Sequence, residues 1–189
     1  MLKNIPNILT IFRFVLIPFL IVGMITNNWI ATFVFLTISA VTDVLDGAIA
    51  RKFNLISDFG KLMDPLADKL TQITMLVGFS LKGVIPLWLV GIVLIKEITM
   101  ITGASFLYGK EMVVSSKWYG KLSTVMLYVA MVSSIIINQW NMNRPDATLP
   151  KFDIYIYYMA IGLTIFSLVM YAKTFVKEGY LKGKMKIRQ

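Results

Sequence analysis

Six stretches of this chain are long and mostly apolar, and polar residues gather in the gaps between them. A helix needs about 20 predominantly apolar residues to cross the hydrocarbon core of a bilayer. The pattern predicts spans over Asn7–Thr26, Trp29–Ala50, Lys61–Leu81, Val84–Tyr108, Tyr119–Gln139 and Ile154–Phe175. Breaks are expected at Thr26-Asn27-Asn28, at Lys82-Gly83, near Gly109 and along the polar run Asn141–Pro150. No internal repeat or low-complexity tract interrupts the series. The predicted fold class is an all-α integral membrane protein with six transmembrane helices, forming a single domain over residues 1–189. The first span has the rival reading of a signal peptide, since Lys3 precedes it. Against that reading, no small-residue cleavage site follows, and Arg13 interrupts the apolar core.

Composition agrees with a membrane class. Hydrophobic residues make up 57% of the chain and charged residues 15%, against about 25% charged in an ordinary soluble domain. Lysine and arginine set the expected orientation. Lys3 and Arg13 lie at the start, Arg51 and Lys52 follow the second span, and Lys110, Lys117 and Lys121 follow the fourth. A basic tail, KTFVKEGYLKGKMKIRQ, follows the sixth. The opposite side has Lys82, and Arg144 and Lys151 balanced by Asp146 and Asp153. The positive-inside rule then places both termini on the cytoplasmic side of the cell membrane. The formal charge of +9 has its explanation there, because the cations flank spans and form no folded basic domain, so no nucleic-acid partner is expected. The tail is either a solvated end or a segment lying on anionic headgroups.

One segment changes the picture. DVLDGAIARKFNLISDFGKLMDPLADKL, residues 43–70, carries five of the 10 acidic residues, between two apolar runs. Asp43 and Asp46 stand three residues apart and Asp64 and Asp68 four, so each pair shares one face of its helix. Two adjacent helices can therefore aim four carboxylates into one volume, where they repel unless a cation occupies it. Carboxylate oxygens suit Mg2+ or Mn2+. The absence of histidine and cysteine leaves oxygen ligands for any metal and removes the commonest general base. The plainer reading makes the aspartates solvated charges or partners of Arg51, Lys61 and Lys69. That reading suits Asp58, in the expected loop. It fits the other four poorly, because ionisable groups at membrane depth are costly. Gly47 and Gly60 admit two readings: close approach of a phosphate or nucleotide, with Arg51 as its forked partner, or close helix packing. Pro65 can bend or begin the third span.

The arrangement Asp43-x2-Asp46-Gly47-x2-Ala50-Arg51-x8-Gly60-x3-Asp64-x3-Asp68 resembles the signature of the CDP-alcohol phosphotransferases throughout. The opening IPNILTIFR, the phrases ARKFNL and LMDPLADKL, and GKLST at Gly120–Thr124 are similar to the phosphatidylglycerophosphate synthase branch of that family. The resemblance covers the N-terminal two-thirds. It implies a six-span homodimeric membrane enzyme, whose aspartate-rich active site the positive-inside rule places on the cytoplasmic side. Such an enzyme uses two divalent ions to move a phosphatidyl group from CDP-diacylglycerol to an alcohol, releasing CMP. It further implies Asp43, Asp46, Asp64 and Asp68 as metal ligands and Asp68 as the catalytic base. Gly47, Ala50, Arg51 and Gly60 would line the CDP-lipid site, with Asn7, Thr10 and Arg13 at its border.

The acceptor expected from the resemblance is glycerol 3-phosphate, with Lys96, Lys117 and Lys121 as candidates for holding its phosphate. Each lysine has a plainer reading: Lys96 as the partner of Glu97 or a snorkelling side chain, the others as ordinary positive-inside charges. One departure from the branch stands out. In KEITMITGASF, Lys96 occupies a place that usually holds arginine, and no second arginine follows. Lysine lacks the guanidinium fork, so a cardiolipin synthase using phosphatidylglycerol is the alternative. From another class, a divalent-cation transporter predicts acids continuing across the membrane, and after Asp68 the spans offer only Glu97.

Overall fold

The computed structural model describes residues 5–53, 58–108 and 118–186, with side chains described outside 5–7, 50–52, 58–59, 61–62, 100–108 and 174–186. The described chain is helical: α1 (Ile5–Ile25), α2 (Trp29–Lys52), α3 (Asp58–Leu81), α4 (Leu87–Tyr108), α5 (Trp118–Asn143) and α6 (Asp153–Lys186), with a 3-10 turn at Pro145–Ala147. Each predicted span has its helix. Asp58, expected in a loop, is instead where α3 begins, and Pro65 lies inside that helix. The basic tail continues α6 as far as Lys186. Among the described residues, four helices are long and apolar enough to cross a membrane: Ile8–Ile25, Trp29–Ile49, Trp118–Asn143 and Asp153–Lys173.

The helices divide between two compact units. Met1–Leu87 with Met131–Asp153 forms one, and Trp88–Ala130 with Ile154–Gln189 the other. In the first unit α1 packs along both α2 and α3. Its inner stripe is Thr10, Arg13, Leu16, Leu20 and Met24, all buried, at the three- and four-residue steps of one helical face. The facing stripe of α2 is Trp29, Thr32, Leu36, Ser39, Thr42 and Asp46. Both stripes change along their length. The turn end is apolar, with Trp29 stacked on Phe79 at 6.0 Å. The other end, about 25 Å further along α2 at 1.5 Å per residue, is polar and charged. Outer faces carry Ile8, Val15, Phe19, Val22, Ile30, Val34 and Val41 exposed, as a lipid-facing surface requires.

The turn between α1 and α2 is set locally. Asn27 takes φ 56°, a conformation asparagine tolerates better than most residues. Asn28 caps α2 by accepting from the Ala31 amide. Lys82 Nζ donates to the Ile25 carbonyl at 3.1 Å and to Asn27 Oδ1 at 2.7 Å, neutralising the negative end of α1. Just before this turn Gly23 brings the helices close. A Cβ there would stand 2.7 Å from Thr32 Oγ1 and 3.3 Å from the Thr32 amide nitrogen. Gly23→Ala is therefore expected to destabilise by about 1–3 kcal/mol, because the backbone itself must move. At Gly78 the obstacle is the tip of Met24, at 2.5 Å, and a thioether reorients readily. Gly78→Ala should cost clearly less; thermal unfolding of both variants in one detergent checks the ranking.

In the second unit the aromatic residues carry the packing. Tyr119 meets Tyr171 edge-on at 5.2 Å and Phe166 at 6.1 Å. Gly120 lies under Tyr171, whose hydroxyl would be 2.8 Å from an added Cβ. The glycine of the GKLST segment thus makes room for a neighbouring ring.

Candidate active site

The charged end of the first unit is built from three helices. Arg13 projects from α1 with its side chain 1% exposed. One Nη atom (Nη1) donates to Asp43 Oδ1. The other, Nη2, donates to Asp46 Oδ2 at 2.9 Å and to Asp64 Oδ1 at 3.3 Å. Thr10, one turn before Arg13, donates its hydroxyl to the same oxygen of Asp64. The Nε of Arg13 is buried and has no hydrogen-bond partner among the described residues. A single guanidinium thus gathers carboxylates from α2 and α3, and the helical spacing of the sequence is realised as a shared site.

The carboxylates differ in access. Asp46 is almost fully enclosed, at 3% exposed, while Asp43 and Asp64 are open at 48% and 36%. Asp43 and Asp64 can thus be reached from outside, and Asp46 cannot. Asp68, one turn beyond Asp64 on the same face of α3, is half-buried and close enough to Asp43 to act on it electrostatically. All four acids of the motif belong to one neighbourhood of the first unit. Gly47 is half-buried and Gly60 buried beside the motif acids in sequence.

Among the described residues no three acidic side chains stand as a ready-formed metal grouping. The aspartates are turned onto Arg13 instead. The donor set nevertheless fits a hard divalent cation: it is all carboxylate oxygen, from two helices, already converging on one positive group.

The remaining expected site residues belong to the second unit or lie outside the described side chains. Lys96 and Glu97 form a buried pair in α4, Nζ to Oε1 2.9 Å, as in one of the plainer readings of Lys96. Lys121 is exposed at the start of α5. The side chains of Asn7, Ala50 and Arg51, and the whole of Lys117, lie outside the described residues. Sequence reasoning placed Thr10 and Arg13 at the border of a nucleotide pocket and missed their grip on the acids. The available signal was an arginine in the middle of an apolar helix, which must find a buried counter-charge.

Residues 3–177 match the CDP-alcohol phosphatidyltransferase family, and this chain belongs to it. Among its relatives is a CDP-diacylglycerol–glycerol-3-phosphate 3-phosphatidyltransferase of Aquifex aeolicus, 32% identical over 143 residues, covering 74% of this chain and 80% of the relative. The protein of the same name from Shigella flexneri is 30% identical and covers 89% of this chain and 92% of the relative. A probable cardiolipin synthase (CMP-forming) of Drosophila melanogaster is 35% identical over 106 residues, covering 56% of this chain and 33% of its own length.

Proposed function

We propose that this chain transfers a phosphatidyl group from CDP-diacylglycerol to glycerol 3-phosphate, forming phosphatidylglycerophosphate and CMP in phospholipid biosynthesis. The observation that carries this reading is the convergence of Asp43, Asp46 and Asp64 on one cation, in a chain whose full-length relatives bear that activity in their names. The acceptor hydroxyl attacks the β-phosphorus of the donor pyrophosphate. A new oxygen–phosphorus bond forms, and the bond from that phosphorus to the oxygen bridging to CMP breaks. The Asp68 carboxylate takes the hydroxyl proton as attack proceeds. Two divalent ions, Mg2+ or Mn2+, held by Asp43, Asp46, Asp64 and Asp68, would neutralise the charge that builds on the phosphoryl and leaving oxygens. Gly47, Ala50, Arg51 and Gly60 line the CDP site, bordered by Asn7, Thr10 and Arg13. The exposure of Asp43 and Asp64 leaves them accessible to the headgroup and the acceptor, while Asp46 is enclosed.

Six spans, cytoplasmic termini and a cytoplasmic active site complete the proposal, supported by the six helices and the lysine and arginine distribution. A homodimer follows from family resemblance alone. Lys96, Lys117 and Lys121 are the proposed holders of the acceptor phosphate. One observation favours phosphatidylglycerol as the rival acceptor: Lys96 is already engaged by Glu97 and lacks the fork of an arginine.

The decisive assay supplies purified protein with CDP-diacylglycerol, Mg2+ or Mn2+, and one acceptor at a time. CMP release is expected with glycerol 3-phosphate. Release with phosphatidylglycerol alone overturns the acceptor assignment. Chelation with EDTA should abolish the activity, and excess Mg2+ or Mn2+ should restore it; activity persisting after exhaustive chelation removes the metal from the proposal.

A further inference from the structure

The site holds a cation of its own. Arg13 is the most enclosed charged group of the cluster, and the three oxygens it engages, Asp43 Oδ1, Asp46 Oδ2 and Asp64 Oδ1, belong to residues assigned above to the metals. A buried acid cluster without a counter-charge is strongly unfavourable. A divalent ion placed among the same carboxylates would stand beside a guanidinium charge in a poorly screened interior, where repulsion is large. Guanidinium and metal therefore compete for the same three oxygens. We infer that Arg13 is the resident counter-ion of the metal-free site, holding Asp43, Asp46 and Asp64 together until divalent ions displace it. The inference rests on the metal reading above and adds to it a residue that opposes metal binding while holding the carboxylates together.

Two features make Arg13 suited to this role. Its fork divides its bonds, Nη1 to Asp43 and Nη2 to Asp46 and Asp64, so it can release the open acids, Asp43 and Asp64, before the enclosed Asp46. Its Nε has no acceptor among the described residues, so the side chain is not fastened there on every side. Thr10, which shares Asp64 Oδ1, carries no charge and offers the metal no comparable opposition. A residue that merely oriented the ligands would behave oppositely, since its loss would weaken metal binding.

The test measures Mn2+ binding to the full chain in nanodiscs by electron paramagnetic resonance, without donor or acceptor, together with thermal unfolding in EDTA. Arg13→Gln is expected to bind Mn2+ on the order of tenfold more tightly than the unaltered protein. It should also unfold at lower temperature in EDTA, with more of the loss recovered by Mn2+. Arg13→Lys, which keeps the charge and loses the fork, should lie between them in affinity. If Arg13→Gln does not fold, the double variant Arg13→Gln/Asp46→Asn, with one charge fewer of each sign, replaces it. Unchanged or weaker Mn2+ binding by the folded single variant, or by the double variant relative to Asp46→Asn alone, overturns the inference and leaves the metal reading intact. Absence of saturable Mn2+ binding by the unaltered protein overturns the metal reading itself, and this inference with it.

Discussion

Asp68→Asn should lower the rate of CMP release by about 10²–10⁴-fold, the usual weight of a positioned general base. The asparagine side chain keeps the volume of the aspartate and cannot take up the acceptor's proton. Asp68 lies one turn beyond Asp64 on α3 and acts on Asp43 electrostatically, so it faces the acids without being the group that Arg13 binds most directly. Because Asp68 is also proposed as a ligand, rates must be compared at saturating Mn2+. A loss that higher metal concentration repairs marks Asp68 as a ligand alone. Near-wild-type rates at ordinary metal concentration place the base elsewhere. Histidine cannot supply it, since the chain has none, so the search would pass to another carboxylate, a lysine, a tyrosine or water.

The aspartate site was legible because helical geometry is rigid. Spacings of three and four residues fix a face, and two such pairs on successive apolar helices leave few ways to avoid meeting. Helix positions were legible for the same reason: apolar runs of bilayer length end at Asn27-Asn28 and at Gly83, and Gly83 has φ 67°. What the sequence concealed was partnership across long separations. Nothing local in IPNILTIFR says that Arg13 closes on Asp43 and Asp46, 30 and 33 residues away. The lock on the loop after α5, though short in range, was hidden as well. There Asn141 donates to the Leu149 carbonyl at 3.1 Å and accepts from the Leu149 amide at 2.6 Å, while Arg144 covers Trp140 at 4.6 Å. Such contacts depend on how the chain returns, which one-dimensional periodicity does not encode. Lys96 is the intermediate case. Its pairing with Glu97 was one of three open readings, beside snorkelling and holding the acceptor phosphate, and the sequence could not say that both side chains are buried.

Asp46→Asn separates a ligand from a structural counter-ion more sharply than any other single change. Asp46 is the most enclosed carboxylate of the cluster and accepts from Arg13 at 2.9 Å, so a purely structural view makes its loss a problem of folding. Electrostatics argue otherwise. Arg13 keeps Asp43 and Asp64, asparagine still offers an oxygen to Nη2, and removing one of three mutually repelling charges offsets part of the lost attraction. Stability should therefore change by about 1 kcal/mol or less. Activity should fall by about three orders of magnitude, because a proposed metal ligand supplies several kcal/mol of transition-state charge stabilisation and each 1.4 kcal/mol is worth about tenfold. Thermal unfolding and CMP release measured on the same preparation give both numbers. A variant as active as the parent makes Asp46 only the partner of Arg13, and one that unfolds without its charge assigns it to the fold; a stable, inactive protein is the result that the convergence of these acids predicts.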